Sequence, residues 1–346
     1  MNNLTKNDYI NSNNFLNFSD VFYGAYIQNE DLHNYNKDDY RVLLDENGSK
    51  LIKMKSFKLK ENDVIFCHSF LLEPLFNHLK DIRKFKNIKL ITHQSDMAIG
   101  KSEFMKKPQC ISKWYAINVN YRNENLIPIP IGIGNDSNQK TLNSKHFETL
   151  SLFGEKSNKL YLNFNMNTNY FHRYKAFKSL NSKKFAFHDK SQLNLNKFIK
   201  NLNKYRFSLA PWGNGYDTHR LWEALYAGSI PVTLFHPSLE TFSDFPIIFL
   251  DTYKSFDVNS VNVKDSNYFY NEKLNINWWF KLINAEKIKS SNQEIEFVEN
   301  KKVHDFNVGL FFKQYHKFNK VKDRNTLNRK LHKKTFGYKI DNIFGL

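Results

Sequence analysis

The chain has 346 residues, of which 41% are hydrophobic and 16% aromatic. This apolar content suffices for one large or two ordinary domains and excludes global disorder. The formal net charge of +17 fits a polyanionic partner, but an Asn-, Lys-, Phe- and Ile-rich composition can produce such a charge without one. Two isolated cysteines, no apolar run of membrane-spanning length and a first segment unlike a secretory signal predict a cytoplasmic protein.

The first half of the chain alternates short apolar runs with longer mixed stretches. Residues 1–20 are Asn-rich and weakly periodic, and we expect a loosely ordered lead-in there. Apolar spacing predicts a helix over 70–85. The runs predict strands at 21–26, 40–44, 63–68, 88–92, 114–118 and 126–131. Strands that alternate with helices favour a parallel sheet, so 21–140 is predicted to be a Rossmann-like domain.

A second α/β unit is predicted over 155–310, after a proline-rich and then polar connector. It opens at about residue 159 with the run KLYLNFNMN. Its predicted strands lie at 185–188, 206–210, 230–235 and 245–250, and its predicted helices at 173–180, 195–202 and 218–227. The tail 311–346 holds ten Lys or Arg against two Asp. It is interpreted either as a solvated basic tail or as a peripheral contact with an anionic membrane or another polyanion.

The segment APWGNGYDTHRLWEALYAGSIPV, residues 210–232, forms a predicted strand, loop, helix and strand. Gly228 stands at the expected C′ position of the helix, and Asp217 or Thr218 can cap its first amides. In an open parallel sheet, ligands bind beyond the carboxyl ends of the strands, where a helix N-terminus presents free amides. Gly213 and Gly215 would let the backbone approach such a ligand closely.

Arg220 and Glu223 lie on the predicted helix one turn apart, on the side shared with His219. The planar guanidinium of Arg220 suits phosphate oxygens, and the carboxylate of Glu223 can accept hydrogen bonds from the hydroxyls of a ribose. The pair therefore indicates a nucleotide-diphosphate ligand. The alternative interpretation is an ordinary (i, i+3) ion pair on the surface, which would contribute only a few tenths of a kcal/mol.

The run FSLAPWGNGYDTHRLWEALYAGSIPV, residues 207–232, resembles the donor-binding segment of exostosin-like glycosyltransferases (glycosyltransferase family 47 and its viral and bacterial relatives). Their pattern there is roughly F-x-L-x-P-x-G-x-G-x-D-x-x-R-x-(W/F)-(E/D)-A-L-x-x-G-x-I-P-V. Segments 89–97, 114–135 and 160–173 resemble other parts of the same family more weakly. The close match covers about a tenth of the chain.

The resemblance implies a GT-B architecture, in which two Rossmann-like domains face each other across a cleft and the C-terminal one holds a nucleotide sugar. It implies that Arg220 binds the diphosphate and Glu223 the ribose. The full set of implied donor-binding residues is Gly213, Asn214, Gly215, Asp217, His219, Arg220, Glu223 and Arg173. A metal-independent, inverting transfer is expected, so no cofactor or metal is predicted.

Sugar transfer needs a base for the acceptor hydroxyl and positive charge for the departing diphosphate. Asp96 is the first candidate for the base and His93 the second, because both follow the strand predicted at 88–92; a structural turn is an equal alternative for each. His68 is a weaker candidate. Arg173 is a candidate for the positive charge, or else a solvated arginine at a helix start.

Three functions therefore compete. The first is an enzyme that moves a sugar from a nucleotide sugar to a glycan or lipid-linked acceptor. The second is a nucleic-acid-binding protein. The sequence argues against it, because the basic residues concentrate in the tail and do not alternate with aromatic ones. No specific nucleic-acid partner is therefore expected. The third is a non-catalytic glycan-binding protein on a transferase-like fold.

Overall fold

The computed structural model describes residues 4–46, 48–138, 141–150, 155–189, 193–261, 271–289 and 293–298. The strands are β1 (Val21–Gln28), β2 (Tyr40–Glu46), β3 (Ser49–Met54), β4 (Ser56–Lys60), β5 (Val64–His68), β6 (Ile88–His93), β7 (Ile111–Ala116), β8 (Leu126–Pro128), β9 (Ser157–Leu162), β10 (Ala186–His188), β11 (Tyr205–Leu209), β12 (Ile230–Leu234), β13 (Ile248–Leu250) and β14 (Glu294–Val298). The helices are α1 (Ser12–Phe18), α2 (Leu72–Leu79), α3 (Lys101–Phe104), α4 (Ser144–Glu148), α5 (Tyr170–Leu180), α6 (Leu195–Lys204), α7 (His219–Tyr226) and α8 (Ile276–Asn284). The fold is mixed α/β.

The first sheet has seven strands in the order β2-β3-β1-β5-β6-β7-β8. The β1–β3 and β2–β3 pairs are antiparallel, whereas the β1–β5, β5–β6, β6–β7 and β7–β8 pairs are parallel. Every residue of β5 and β6 is buried, as expected for parallel strands that are covered on both faces. The predicted strands β1, β2, β5 and β6 are thus present, whereas β8 ends at Pro128, three residues earlier than predicted.

The second sheet is entirely parallel, with the strand order β10-β9-β11-β12-β13. From β9 the chain moves outward to β10 and then returns to add β11, β12 and β13 on the other side of β9. The direction of strand addition therefore reverses between β9 and β11. In open α/β sheets, a crevice for ligands opens at such a switch point, beyond the carboxyl ends of the two strands.

The segment before β1 is packed, and for residues 4–20 the expected loosely ordered lead-in is wrong. Ile10 and Phe15 are fully buried, and the side chain of Asn11 caps α1 by accepting a hydrogen bond from the Asn14 amide. A Cβ on Gly132, whose φ is +70°, would lie 2.0 Å from the carbonyl oxygen of Ile10. Tertiary contacts therefore order a segment whose own composition predicts little structure.

The last described segments return to the first half of the chain, which differs from a continuous second domain over 155–310. The ring of Phe280 on α8 stacks on Phe18 at 4.1 Å, and the amide of Ile276 donates to the carbonyl of Asp8. β14 pairs with β4 in an antiparallel two-stranded sheet. The predicted basic tail, 311–346, lies outside the described residues.

One buried cluster joins the two halves, since it contains residues from one face of each sheet together with residues of α1, α7 and α8. Within it, the hydroxyl of Tyr226 on α7 accepts from the Ile10 amide at 3.0 Å and donates to the Leu274 carbonyl at 2.6 Å. These bonds tie α7 to both ends of the described chain. No helix in the described ranges is long and apolar enough to cross a membrane.

Candidate functional site

A cavity of about 880 Å³ opens at the switch point of the second sheet. Its wall is formed by the segments that follow β9, β10 and β11 and by the first turn of α7, and Asp96 reaches it from the first half of the chain. The sequence-predicted residues in this wall are Asp96, Arg173, Gly213, Asn214, Gly215, Asp217, His219, Arg220 and Glu223. The structure thus brings together every predicted donor-binding residue, whereas His93 does not line this cavity.

Helix α7 begins at the cavity. Thr218 is its N-cap residue, but the Thr218 side chain makes no capping hydrogen bond. The Leu221 amide donates to the Thr218 carbonyl at 3.0 Å, so the amides of His219 and Arg220 are the ones left to donate to a ligand, and the helix dipole adds positive potential there. At the other end, Gly228 has φ +67° and follows the cap residue Ala227, as the sequence predicted.

Asp217 does not supply the predicted cap. Its carboxylate accepts from the Ile131 amide at 2.7 Å and from the indole Nε1 of Trp222 at 2.8 Å. Burial raises the pKa of Asp217 to about 7, and these N–H donors oppose that rise because they favour the ionised form. Asp217 therefore joins the loop before α7 to the connector that follows β8.

Arg220 and Glu223 form the ion pair of the alternative interpretation, but they form it in the cavity wall. Nε of Arg220 lies 3.5 Å from Oε2 of Glu223, and the two side chains are only 18% and 7% exposed. The guanidinium carbon lies 4.0 Å from the centre of the Phe198 ring, while Nε and Nη1 make no hydrogen bond within the described part of the chain. Burial lowers the pKa of Arg220, and the charge of Glu223 opposes this. A buried pair with unbonded donors is costly, unlike a surface pair.

Arg173 is a second buried cation at the same cavity, so it is not the solvated arginine of the alternative interpretation. Its Nε donates to the Trp212 carbonyl at 3.0 Å and its Nη1 to the Asn165 carbonyl at 2.7 Å. Burial lowers the pKa of Arg173 to about 10, and repulsion from Arg220 lowers it further. Two like charges therefore face one cavity, an arrangement that an anionic ligand would relieve.

The two glycines of the loop line the cavity and also lie close to side chains of the protein itself. A Cβ on Gly213 would lie 3.0 Å from Nη2 of Arg173, and a Cβ on Gly215 would lie 2.5 Å from Nδ2 of Asn118. Neither glycine is among the described residues with positive φ. They allow close approach of the protein's own side chains, and Oδ1 of Asn118 accepts from the amides of Tyr216 and Asp217.

The two predicted bases lie in different surroundings. His93 is 1% exposed; its Nδ1 accepts from the Gln94 amide at 2.9 Å, and its Nε2 lies 3.2 Å from the Pro130 carbonyl, to which it donates. Burial lowers the pKa of His93 to about 3. Asp96 is exposed, and its Oδ2 accepts from Nδ2 of Asn214 at 3.2 Å. These contacts argue against His93 as a base and leave Asp96 as a candidate.

Two residues at the same edge had no place in the sequence-based prediction. Gln94 and Asn118 have φ of +64° and +55°, a left-handed conformation that is uncommon for residues other than glycine. Such strained positions cluster at functional sites. Nothing in the sequence marks Gln94, whereas Asn118 belongs to a residue type that tolerates this conformation. A signal for Asn118 therefore existed, although it is weak.

Among the described residues, no group of three or more His, Cys, Asp or Glu side chains could hold a metal ion. No protein-family model matches the chain, and no curated protein matches its sequence.

Proposed function

We propose that the protein transfers a sugar from a nucleotide-sugar donor to a glycan or lipid-linked acceptor, on a GT-B arrangement of two Rossmann-like units. The observation that carries this proposal is the 880 Å³ cavity at the switch point, whose wall holds the buried Arg173 and Glu223 and the partly buried Arg220. This set matches the chemistry of a nucleoside diphosphate, which presents phosphate oxygens and ribose hydroxyls side by side.

In this proposal the diphosphate lies against the first amides of α7 and the guanidinium groups of Arg220 and Arg173. The ribose hydroxyls donate to Glu223, one helical turn deeper. When the bond between the sugar and the diphosphate breaks, negative charge grows on the leaving diphosphate. Fixed guanidinium groups and helix amides stabilise that charge without the reorganisation that water would need.

The acceptor hydroxyl must lose a proton as it attacks the sugar. Asp96 projects from the first half of the chain into the same cavity and is held by Asn214 of the second. It therefore stays a candidate for the base. The sugar of the donor would lie between Asp96 and the diphosphate subsite, where the two halves of the chain meet.

A thermal-shift screen against nucleotide sugars tests the proposal, because a ligand that binds only the folded protein raises its melting temperature. The panel contains UDP-glucose, UDP-galactose, UDP-N-acetylglucosamine, GDP-mannose and GDP-fucose. We expect stabilisation by one of them, followed by release of its diphosphate. Binding without release would favour the non-catalytic alternative, and the absence of any shift would contradict a donor site.

Substitution Glu223→Ala tests the ribose contact. It removes the hydrogen-bond acceptor, so calorimetry should show a loss of donor affinity of about 1–3 kcal/mol, roughly 5- to 150-fold. Glu240→Ala is the matched control, since Glu240 forms an exposed ion pair with Arg122 away from the cavity. Equal donor affinities in the two variants, with unchanged melting temperatures, would contradict the ribose assignment.

A further inference from the structure

A second, smaller cavity of about 220 Å³ adjoins the first. It lies at the carboxyl edge of the first sheet, between the ends of β1 and β6, the start of α1 and the connector after β8. Three residues line both cavities: Asp96, Ile131 and His219. The two cavities therefore meet at a junction that carries one carboxylate and one imidazole.

The wall of the smaller cavity is polar but almost free of charge. Its hydroxyl and amide side chains are Ser12, Tyr26, Gln28, Gln94, Ser95, Asn135 and Asn138. Among the described residues that line it there is no Lys, Arg or Glu, and Asp96 supplies the only carboxylate. Such a wall suits a neutral ligand with many hydroxyl groups. It suits a phosphate or an acidic peptide poorly, because nothing there would neutralise them.

These polar groups are held in place by one another. Oε1 of Gln94 accepts from the Tyr26 amide at 2.7 Å, while its Nε2 donates to the hydroxyl of Ser12 at 3.2 Å. Nδ2 of Asn135 donates to the same hydroxyl at 2.9 Å. The left-handed backbone of Gln94 is therefore fixed by a network that also shapes the cavity, and a fixed network lowers the cost of ordering a ligand.

His219 lies at the junction, and one of its two ring nitrogens is hydrogen-bonded to the backbone. Its Nδ1 lies 2.7 Å from the carbonyl oxygen of Gly132. A carbonyl can only accept, so Nδ1 carries the proton and Nε2 of the neutral ring carries the lone pair. No hydrogen bond from the described residues reaches Nε2. His93 differs in this respect, because both of its ring nitrogens are bonded to the backbone.

We propose that the smaller cavity binds a hydroxyl-rich sugar residue of the acceptor, and that Nε2 of His219 takes the proton from its attacking hydroxyl. This inference rests on the proposed transferase function. The hydroxyl oxygen forms a bond to the anomeric carbon of the donor, and the bond from that carbon to the diphosphate breaks. The electron pair leaves with the diphosphate, and the proton stays on His219 as imidazolium.

Imidazole suits this step because the nitrogen of its neutral ring that carries no proton has a lone pair that can accept one. The charged or titratable groups that line the two cavities with His219 include Asp96 at the junction, Asp217, Arg220 and Glu223 in the wall of the larger cavity, and His93 in the wall of the smaller one. Asp96 lines both cavities, so its carboxylate is placed to stabilise the imidazolium.

Substitution His219→Asn tests the inference with little disturbance of the fold. The Asn amide can replace Nδ1 as donor to the Gly132 carbonyl, but it has nothing in the place of Nε2. We expect turnover to fall roughly 10²- to 10⁴-fold, while donor affinity and melting temperature stay the same. The assay is the release of diphosphate from the nucleotide-sugar panel, with methyl glycosides or water as acceptor.

His33→Asn is the matched control, because Nδ1 of His33 also lies against a backbone carbonyl, that of Glu30, at an exposed site that lines neither cavity. Turnover of His219→Asn equal to that of this control would overturn the inference alone. A wild-type protein that binds no nucleotide sugar would instead contradict the proposed function. The two failures are therefore distinguishable.

Two measurements test the inference without turnover. In NMR spectra of protein with isotope-labelled histidine, neutral His219 should carry its proton on Nδ1, and a proton on Nε2 would overturn the inference. Saturation-transfer NMR with methyl glycosides and the nucleoside diphosphate should show glycoside contact in the wild type. Gln28→Trp, which fills the smaller cavity, should abolish that contact and spare nucleotide binding. No glycoside contact in the wild type would overturn the acceptor assignment.

Discussion

The two sheets end differently at edges that correspond to each other. In the first sheet, β5 and β6 end in His68 and His93, each 1% exposed. Each ring accepts a backbone amide at Nδ1 and donates from Nε2 to a backbone carbonyl. In the second sheet, the corresponding edge of β11 opens into a large cavity whose wall holds Arg220 with unbonded donors. The two histidines that end β5 and β6 are satisfied by the protein's own backbone, whereas Arg220 at the second edge keeps donors without partners among the described residues.

The difference comes from the segment that succeeds each strand. After β5 and β6, an amide within two residues returns to the histidine ring. After β11, the chain runs through a glycine-containing loop before α7 begins, so the helix starts at a distance from the strand and a cavity remains between the segments. A polar residue at the end of a parallel strand therefore indicates a ligand site only when the next segment leaves a cavity beside it.

The largest expected effect is at the second edge. Arg220→Met keeps most of the side-chain volume and removes the charge, so donor affinity should fall by about 3 kcal/mol, roughly 150-fold. Calorimetry with the nucleotide sugar that stabilises the wild type measures this. Arg122→Met, at an exposed ion pair with Glu240, should leave affinity unchanged. If both variants bind alike, the open edge is not a diphosphate site.

A substitution at the carboxyl edge of the first sheet should have an intermediate effect, on the stability of the fold. His93→Phe keeps a ring among the aromatic neighbours Phe15 and Phe66 but leaves two backbone groups without partners. The free energy of unfolding should fall by about 1–3 kcal/mol, measured by urea denaturation, with donor affinity unchanged. Undiminished stability would show that the edge is not closed by these bonds.

The same variant also tests how the stability of the protein depends on pH. Burial lowers the pKa of His68 and His93 from 6.5 to about 4 and about 3. Below pH 6.5 the unfolded chain binds protons that the folded protein does not bind, so stability falls as the pH falls, by up to about 1.4 kcal/mol per pH unit for each histidine. Between pH 6 and 4, stability of His93→Phe should therefore depend less steeply on pH than that of the wild type.

The smallest effect is expected at the junction carboxylate. Asp96→Asn should spare donor binding and lower turnover by about tenfold, because an exposed charge stabilises the imidazolium through screened electrostatics. Diphosphate release under saturating donor measures it. If this variant loses as much turnover as His219→Asn, Asp96 is the base, and the base then comes from the segment after β6 of the first sheet.

The second unit could be predicted from the sequence to a large extent because its signals are local. The apolar run before residue 210, the spacing of Leu221, Ala224 and Leu225, and Gly228 together locate β11, α7 and the end of α7. In contrast, β3 and β4 were not predicted, since lysines such as the buried Lys53 interrupt their apolar pattern. Helix α1 was missed because its order comes from distant contacts.

The site could be predicted only as a set of residue types. A helical position sufficed to group Arg220 with Glu223, but not to show that their ion pair is buried. The proton position on His219 depends on the Gly132 carbonyl, which lies 87 positions earlier in the chain. The conformations of Gln94 and Asn118 likewise depend on partners from other segments. Such features follow from the assembled fold, and apart from the residue type of Asn118 they have no local sequence signal.

The hydroxyl of Tyr226 joins the helix of the large cavity to Ile10 near one end of the chain and Leu274 towards the other. A fusion partner, a protease cut or a deletion that disturbs either contact would therefore be transmitted along α7 to its first turn at the cavity, one helix length away. For the same reason, residues 155–261 expressed alone would lack two anchors of that helix, and a minimal soluble fragment must keep both ends to report faithfully on ligand affinity.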